Sequence, residues 1–379
     1  MSSSTPNPAD DTLSILANGR ELSGWQAIRV TRGCERFPAD FEVSLTERYP
    51  GNPTEVPINE GDACTVKMED DPVITGYIDR VGAAITPRSH QLRITGRSKC
   101  QDLVDCSITD DNLTGMQFTT TSLVDFATKL AKPYGITVKS MTGDNVPVAA
   151  PGGGPVQFNG TLQETPYEAI EQIAHYAGVL VYDDEDGNLV FANVATGQMA
   201  SGFQEGVNVQ AALAERTAGQ RFQNYVPVLM NVNLFGQPGA GAAKLQPAHD
   251  QGVKRFRRFI VVSEQYQYGQ SFAEKRARWE ASRRYGRSRS VRVTCDSWRD
   301  SAGKLWTPNY TAEINLPSLK LTPSDPWVIS EVTFARDADR GTVADLVLMP
   351  KTAFSVQPIV LLPSLYDPDD PSGGQLGHV

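Results

Sequence analysis

The chain has 379 residues, 40% of them apolar and 21% charged, with a net charge of -9, a pI of 5.1 and a mean hydropathy of -0.32. At roughly 100–200 residues per domain this suggests two to four globular domains. The composition is neither that of a disordered chain nor that of a membrane protein, and the acidic balance argues against a general affinity for nucleic-acid backbone. The first residues lack the basic and apolar blocks of a secretory signal. No apolar run approaches the ~20 residues that cross a bilayer, so no membrane anchor is expected.

Residues 1–11 read as a flexible start, and strands dominate 12–98. Thr12 to Leu16 alternates, and Asn18-Gly19 marks a tight hairpin. Further strands are predicted over Trp25–Thr31, Asp40–Glu47, Val73–Val81 and His90–Gly96, with Thr86-Pro87-Arg88 between the last two. Turn residues every ten positions or so give the pattern of a small antiparallel barrel or sandwich.

The pattern changes over 99–205. Thr121-Ser122 can cap a helix whose inner face is Leu123, Phe126, Ala127 and Leu130, stopped by Pro133. A strand, Ile136–Lys139, follows Gly135. Thr165-Pro166-Tyr167-Glu168 carries the N-cap, the first-turn proline and the capping-box glutamate of a second helix. Its inner face is Ala169, Ile170, Ile173, Ala174 and Ala177, and Gly178 is placed to end it. Val179–Tyr182 and Leu189–Ala192 then pair across a turn. The two helix-strand units resemble each other, and Ala149–Pro155 between them is a loop by composition.

Residues 206–354 return to strands around one helix, predicted over 271–285 from the capping box at Ser271 to a stop at Gly286. The later strands are Ser290–Cys295, Thr311–Leu316, Val328–Ala335 and Thr342–Met349. The tail, 355–379, is rich in Pro, Gly and Asp and reads as flexible.

Little in this sequence carries chemistry. There is no Gly-x-Ser-x-Gly elbow and no phosphate-binding loop. The acidic runs at 69–71, 110–111, 183–186 and 367–370 fall in predicted turns and read as solvated. Asp183–Gly187 lacks the spacing and terminal Glu of a calcium loop. Cys34, Cys64, Cys100, Cys106 and Cys295 form no zinc-ligand pattern and read as free buried thiols. The four histidines are scattered, so no catalytic, cofactor or metal residue is assigned.

Charge is the unusual feature. Lys254 to Arg289 holds eleven Lys and Arg against three Glu. A solvated helix face, a docking surface for an acidic protein and a DNA contact all fit. The candidate docking patch is Arg276, Arg278, Trp279, Arg283, Arg284 and Arg287. Trp298, Trp306 and Trp327 are candidate interface anchors, with core packing as the alternative.

From Trp279 to Phe354 the chain resembles the baseplate hub proteins of Mu-like contractile-tailed phages, and the resemblance covers most of residues 12–354. The resemblance rests on Arg278–Ser288, Val291–Thr294, Ser297–Asn309, Val328–Phe334 and Leu346–Phe354, most specifically on Leu305-Trp306-Thr307-Pro308-Asn309 and on the ending before Phe354. The helix-strand units over 121–139 and 165–192 resemble that family's middle region. The resemblance implies a β-rich α+β fold, with two related antiparallel β-barrels and α/β insertions. It also implies a homotrimeric ring that joins a sixfold tail tube to a threefold central spike and meets the baseplate wedge proteins. DNA would leave through its axial channel without specific binding. No catalytic residues come with the family. The alternative is a tail component that binds or degrades peptidoglycan.

Overall fold

The structure, a computed structural model, describes residues 12–46, 58–87, 89–108, 117–148, 154–161, 163–229, 243–263, 269–323 and 326–356. The expectations for 1–11, for most of Ala149–Pro155, for the tail from 357 and for the acidic runs at 110–111 and 367–370 lie outside these residues.

Seven strands open the fold: β1 (Leu13–Ala17), β2 (Arg20–Leu22), β3 (Ala27–Gly33), β4 (Asp40–Thr46), β5 (Ala63–Met68), β6 (Asp71–Thr86) and β7 (Ser89–Ser98). Asn18 and Gly19 hold φ of 51° and 72°, so Ala17 pairs with Arg20 in the predicted hairpin. The six-residue strand β5, which the sequence reading missed, buries Cys64, Val66 and Met68 and joins β1 to β6. The order is β3-β4-β7-β6-β5-β1-β2. Alternate residues such as Ile28, Val30, Phe41, Val43 and Ile94 turn into one core.

The middle region holds α1 (Asp102–Asp105), β8 (Gln117–Thr120), α2 (Leu123–Ala131), β9 (Val138–Ser140), β10 (Val156–Asn159), α3 (Pro166–Ala177), β11 (Leu180–Asp183) and β12 (Leu189–Ala192). Ser122 caps α2, accepting from the Asp125 N–H at 3.2 Å. A 3-10 turn carries the chain past Pro133 to Tyr134, and Gly135, at φ 66°, ends it. The capping box of α3 forms as read: Thr165 Oγ1 accepts from the Glu168 N–H at 3.2 Å, and Glu168 accepts from the Thr165 N–H at 2.9 Å. Both helices pack beside the sheet β11-β12-β9, in which β9 runs parallel to β12.

The turn after β11 corrects the expectation of a solvated acidic run. Asp183 and Asp184 are buried; only Glu185 and Asp186 are exposed. Asp183 accepts from the Ala39 N–H at 3.1 Å, tying the turn to the N-terminal strands. Asp184 accepts from the Asp186 and Asn188 N–H groups and pairs with Lys139 at 2.7 Å. A buried carboxylate persists only with such partners, and burial still raises the pKa of Asp183.

The last part comprises β13 (Gly197–Gln198), β14 (Phe203–Gln204), β15 (Val209–Arg216), β16 (Asn224–Leu229), β17 (Ala243–Lys244), β18 (Ala248–His249), β19 (Arg258–Ser263), α4 (Gly269–Arg287), β20 (Arg289–Cys295), β21 (Tyr310–Ala312), β22 (Ile314–Asn315), β23 (Trp327–Asp337) and β24 (Gly341–Met349). Strands β15-β20-β24-β23 continue the first sheet, because β23 pairs antiparallel with β3 from Glu331↔Gly33 to Arg336↔Ile28. Thirteen described strands thus share one sheet. Across the seam Thr31 and Thr333 share a hydroxyl hydrogen bond at 3.1 Å, and one core contains Ile15, Phe41, Trp298 and Leu346 together. Arg299 strengthens the join through Glu69 at 3.2 Å and Asp71 at 2.6 Å.

Two of the three candidate anchor tryptophans belong to this core. Trp298 and Trp306 are each 1% exposed. The Trp298 indole N–H donates to the Val343 carbonyl at 3.0 Å, and that of Trp306 to the Ser297 carbonyl at 2.9 Å. Nothing of either ring is left for a partner. Trp327 is half-buried against the same core. A separate small sheet, β17-β16-β18 with β19 parallel to β16, went unforeseen; α4 packs on it through Tyr225, Val261 and Ala277.

Candidate protein-docking site

Helix α4 begins at Gly269 and ends at Arg287, so Ser271 lies inside it and Gly286 does not stop it. Gly286 has a different reason to be there. A Cβ at this position would stand 2.7 Å from Ala353 Cα, so the bare backbone lets the 3-10 turn Lys351–Phe354 lie directly on the helix.

At 3.6 residues per turn, Arg276, Trp279, Arg283 and Arg287 form one stripe, while Arg278 lies on the opposite side. The structure follows this geometry and does not bring the six candidates onto one exposed surface. The Trp279 indole donates to the Ser355 carbonyl at 2.8 Å, and Arg283 donates to the same oxygen at 2.7 Å. Arg283 also pairs with Glu35 at 3.4 Å, and Arg287 pairs with the other Glu35 oxygen. Desolvation, with the neighbouring Arg287 charge, lowers the pKa of Arg283. Arg276 Nε is buried with no hydrogen-bond partner among the described residues. Arg278 is exposed.

Arg284 faces the small sheet. It pairs with Glu280 at 2.8 Å and lies over the Phe259 ring at 4.5 Å and the Phe222 ring at 5.5 Å. Arg221 and Arg289 flank the Tyr285 ring at 4.9 and 4.6 Å. Arg221 also holds Asp250 at 2.7 Å, which keeps that carboxyl below its ordinary pKa. Much of the basic charge is therefore stacked on aromatic rings inside the chain. The interleaving of Phe222, Tyr225, Phe259, Trp279 and Tyr285 with arginines was the available sequence sign of this packing.

The clasp closes a cleft of about 330 Å³ lined by Cys34, Glu35, Tyr167, His175, Arg283 and Arg287. The N-terminal strands, the middle region and α4 meet there. Phe37 stacks on Tyr167 with ring centroids 4.2 Å apart beside it. The arrangement fixes three parts of the chain against one another. Among the described residues no group of three or more His, Cys, Asp or Glu could hold a metal, and no helix is long and apolar enough to cross a membrane.

Each of these three parts also matches a domain family of phage baseplate proteins. Residues 12–98 match the N-terminal domain of Mu phage baseplate assembly protein GpP-like. Residues 100–193 match the second domain of baseplate hub protein gp44-like, and 269–357 the fourth domain of Mu phage baseplate assembly protein GpP. Over 355 residues the chain is 28% identical to baseplate hub protein gp44 of Escherichia phage Mu, covering 91% of this chain and 89% of that protein. It belongs to the Mu-like phage baseplate hub family.

The fold of this hub protein agrees. The 43 kDa tail protein of prophage MuSo2 from Shewanella oneidensis superposes with a TM-score of 0.77 at 28% identity, over 91% of this chain and all of that one. A tail protein from Neisseria meningitidis gives 0.72 at 18% identity, over 91% of this chain and 98% of that one, which is a likeness of fold alone. The hub is a β-rich structural component of a phage tail baseplate.

Proposed function

We propose that three copies of this hub close into a ring around an axial channel, which joins a sixfold tail tube to a threefold central spike and lets DNA leave. The baseplate wedges meet its outside. The hub assembles in the host cytoplasm and has no catalytic centre. The observation that carries this reading is the single sheet through both strand regions, sealed by the β3–β23 pairing. A load-transmitting ring needs protomers that do not hinge at their middle, and a shared core with a continuous ladder supplies that stiffness. Among the described strands the main path of this sheet ends in two unlike edges, β15 and β2, with β21 and β13 branching from β23. Unlike surfaces are what a head-to-tail cyclic contact uses. The negative net charge supports passage of DNA without retention.

Light scattering over a concentration series tests the reading. A mass near three times 41.3 kDa is expected. A monomer at every concentration, or lysis of purified peptidoglycan by the protein, counts against it.

A further inference from the structure

We infer that the outer face of β19, with the basic residues around it, docks on the acidic middle region of a second copy of this chain. This inference rests on the ring reading and gives that ring one of its contact surfaces.

The first observation is the surface itself. On β19 the residues Arg258, Ile260 and Val262 alternate onto the face opposite Val261, and all three are exposed. Ile260 is 56% exposed, and Phe256, just before the strand, is 71% exposed with Arg258 over its ring at 5.3 Å. Among the described residues β19 pairs with β16 alone and is an edge of the described sheet. An apolar centre beside a strand edge, ringed by charge, is the anatomy of a protein contact. Phosphate backbone would gain nothing from Ile260 and Val262.

The second observation separates spent charge from free charge in the basic segment. Arg283, Arg284 and Arg287 are paired inside the chain, and Arg257 donates to the Ala218 carbonyl at 2.6 Å. The exposed remainder is Lys254, Arg255, Arg258, Lys275 and Arg278. These residues lie on β19, the segment before it and the outer side of α4. The sequence-level docking patch is thereby moved from the inner stripe of the helix to its outer side and the neighbouring strand.

The third observation identifies the occupant. Residues 99–200 contain thirteen Asp and Glu against four Lys and no Arg, a net charge of -9, equal to that of the whole chain. Asp125 and Asp144 are exposed there, and Glu185 and Asp186 are exposed beside their intrachain partners Arg32 and Lys139. Met141, 59% exposed, adds an apolar residue close to Asp144. A chain with one basic-apolar surface and one acidic region has two unlike, complementary faces, as a head-to-tail ring requires.

Sedimentation velocity of the full chain at low and high salt tests this, comparing wild type with Arg255→Glu/Arg258→Glu and, separately, Ile260→Ser. All three positions are exposed, so the variants should keep the wild-type circular dichroism and melting temperature. The expected result is a wild-type trimer, weakened by salt, and at least tenfold weaker association in both variants. As a second readout, carbodiimide coupling in a mixture of isotopically light and heavy chains should join Lys254 of one copy to carboxylates within 99–200 of another. A wild-type trimer whose variants associate equally well, or whose Lys254 couples only elsewhere, overturns this inference and leaves the ring standing. A wild-type monomer at every concentration overturns the ring and this contact together.

Discussion

Replacing Gly286 with Ala sets two effects of opposite sign against each other. Gly286 is inside a helix, where Ala is favoured over Gly by ~1 kcal/mol. Helix propensity alone therefore predicts a stabilised protein. The new methyl group would stand 2.7 Å from both Ala353 Cα and the Thr352 carbonyl carbon, well inside ordinary contact. Both are backbone atoms and cannot rotate away. The Ala353 N–H is committed to the Pro350 carbonyl at 2.8 Å, and Phe354 is fully buried. The Ser355 carbonyl is held by both Trp279 and Arg283. Overpacking such a site costs roughly 1–3 kcal/mol, here at the upper end because the clamp prevents relaxation. The net expectation is a loss of about 2 kcal/mol, which lowers the melting temperature by roughly 4–8 °C for a unit of 150–250 residues. Thermal unfolding followed by circular dichroism and by tryptophan emission measures it, and Trp279 reports from the contact itself. Arg278→Ala, on the exposed side of the same helix, should stay within ~0.5 kcal/mol of wild type. A melting temperature for Gly286→Ala at or above that of wild type would refute the close-packing account of this glycine.

Three further predictions address the clasp, the buried turn and the thiols. Glu35→Gln removes the carboxylate that Arg283 and Arg287 share, and these half-exposed pairs should lose about 1 kcal/mol together, read as a lower melting temperature whose deficit shrinks in high salt; an unchanged melt contradicts the clasp. Burial raises the folded-state pKa of Asp183, so between its unfolded and folded values the native protein binds the extra proton and stability falls as pH rises. Asp183→Asn should therefore gain on wild type in melting temperature from pH 4 to pH 7, and a constant or shrinking difference argues against a carboxyl held by desolvation. Burial pushes the thiols of Cys34 and Cys64 up to about 12 and also raises those of Cys100, Cys295 and Cys106, but Cys106 alone is half-buried and within reach of a reagent. A colorimetric thiol assay should find one slowly reacting group in the native protein, abolished in Cys106→Ser, and five after unfolding; rapid reaction of more than one native thiol is the contrary result.

The parts of the fold written in short-range chemistry were legible in the sequence. Thr165 and Glu168 cap α3 as their spacing requires, Asn18-Gly19 turns β1 into β2, and the inner face of α2 is the predicted one. The seam between β3 and β23 was not legible, because residues with a sequence separation of 302 meet there and neither strand carries a local mark of its partner. The same holds for the small sheet: β17 and β18 are two residues each, too short for any periodicity. Gly286 was misread because Gly at a helix end usually caps it, and only the tertiary contact with Ala353 explains it. The candidate docking patch shows what charge alone leaves unread. Six residues close in sequence were grouped by charge, yet the helical period assigns them to different sides, and the arginines on the inner stripe found Glu35 and Ser355. Tryptophan abundance after residue 297 was equally ambiguous, since core packing and interface anchoring draw on the same residue type. Both indole N–H groups finding main-chain carbonyls within the chain is what settled Trp298 and Trp306.

The central claim is geometric, and electron-microscopic class averages of the purified hub, taken along the particle axis, test it most directly. The account predicts closed rings of threefold symmetry with a stain-filled central hole. Compact particles without a hole, or open chains that never close, would contradict it.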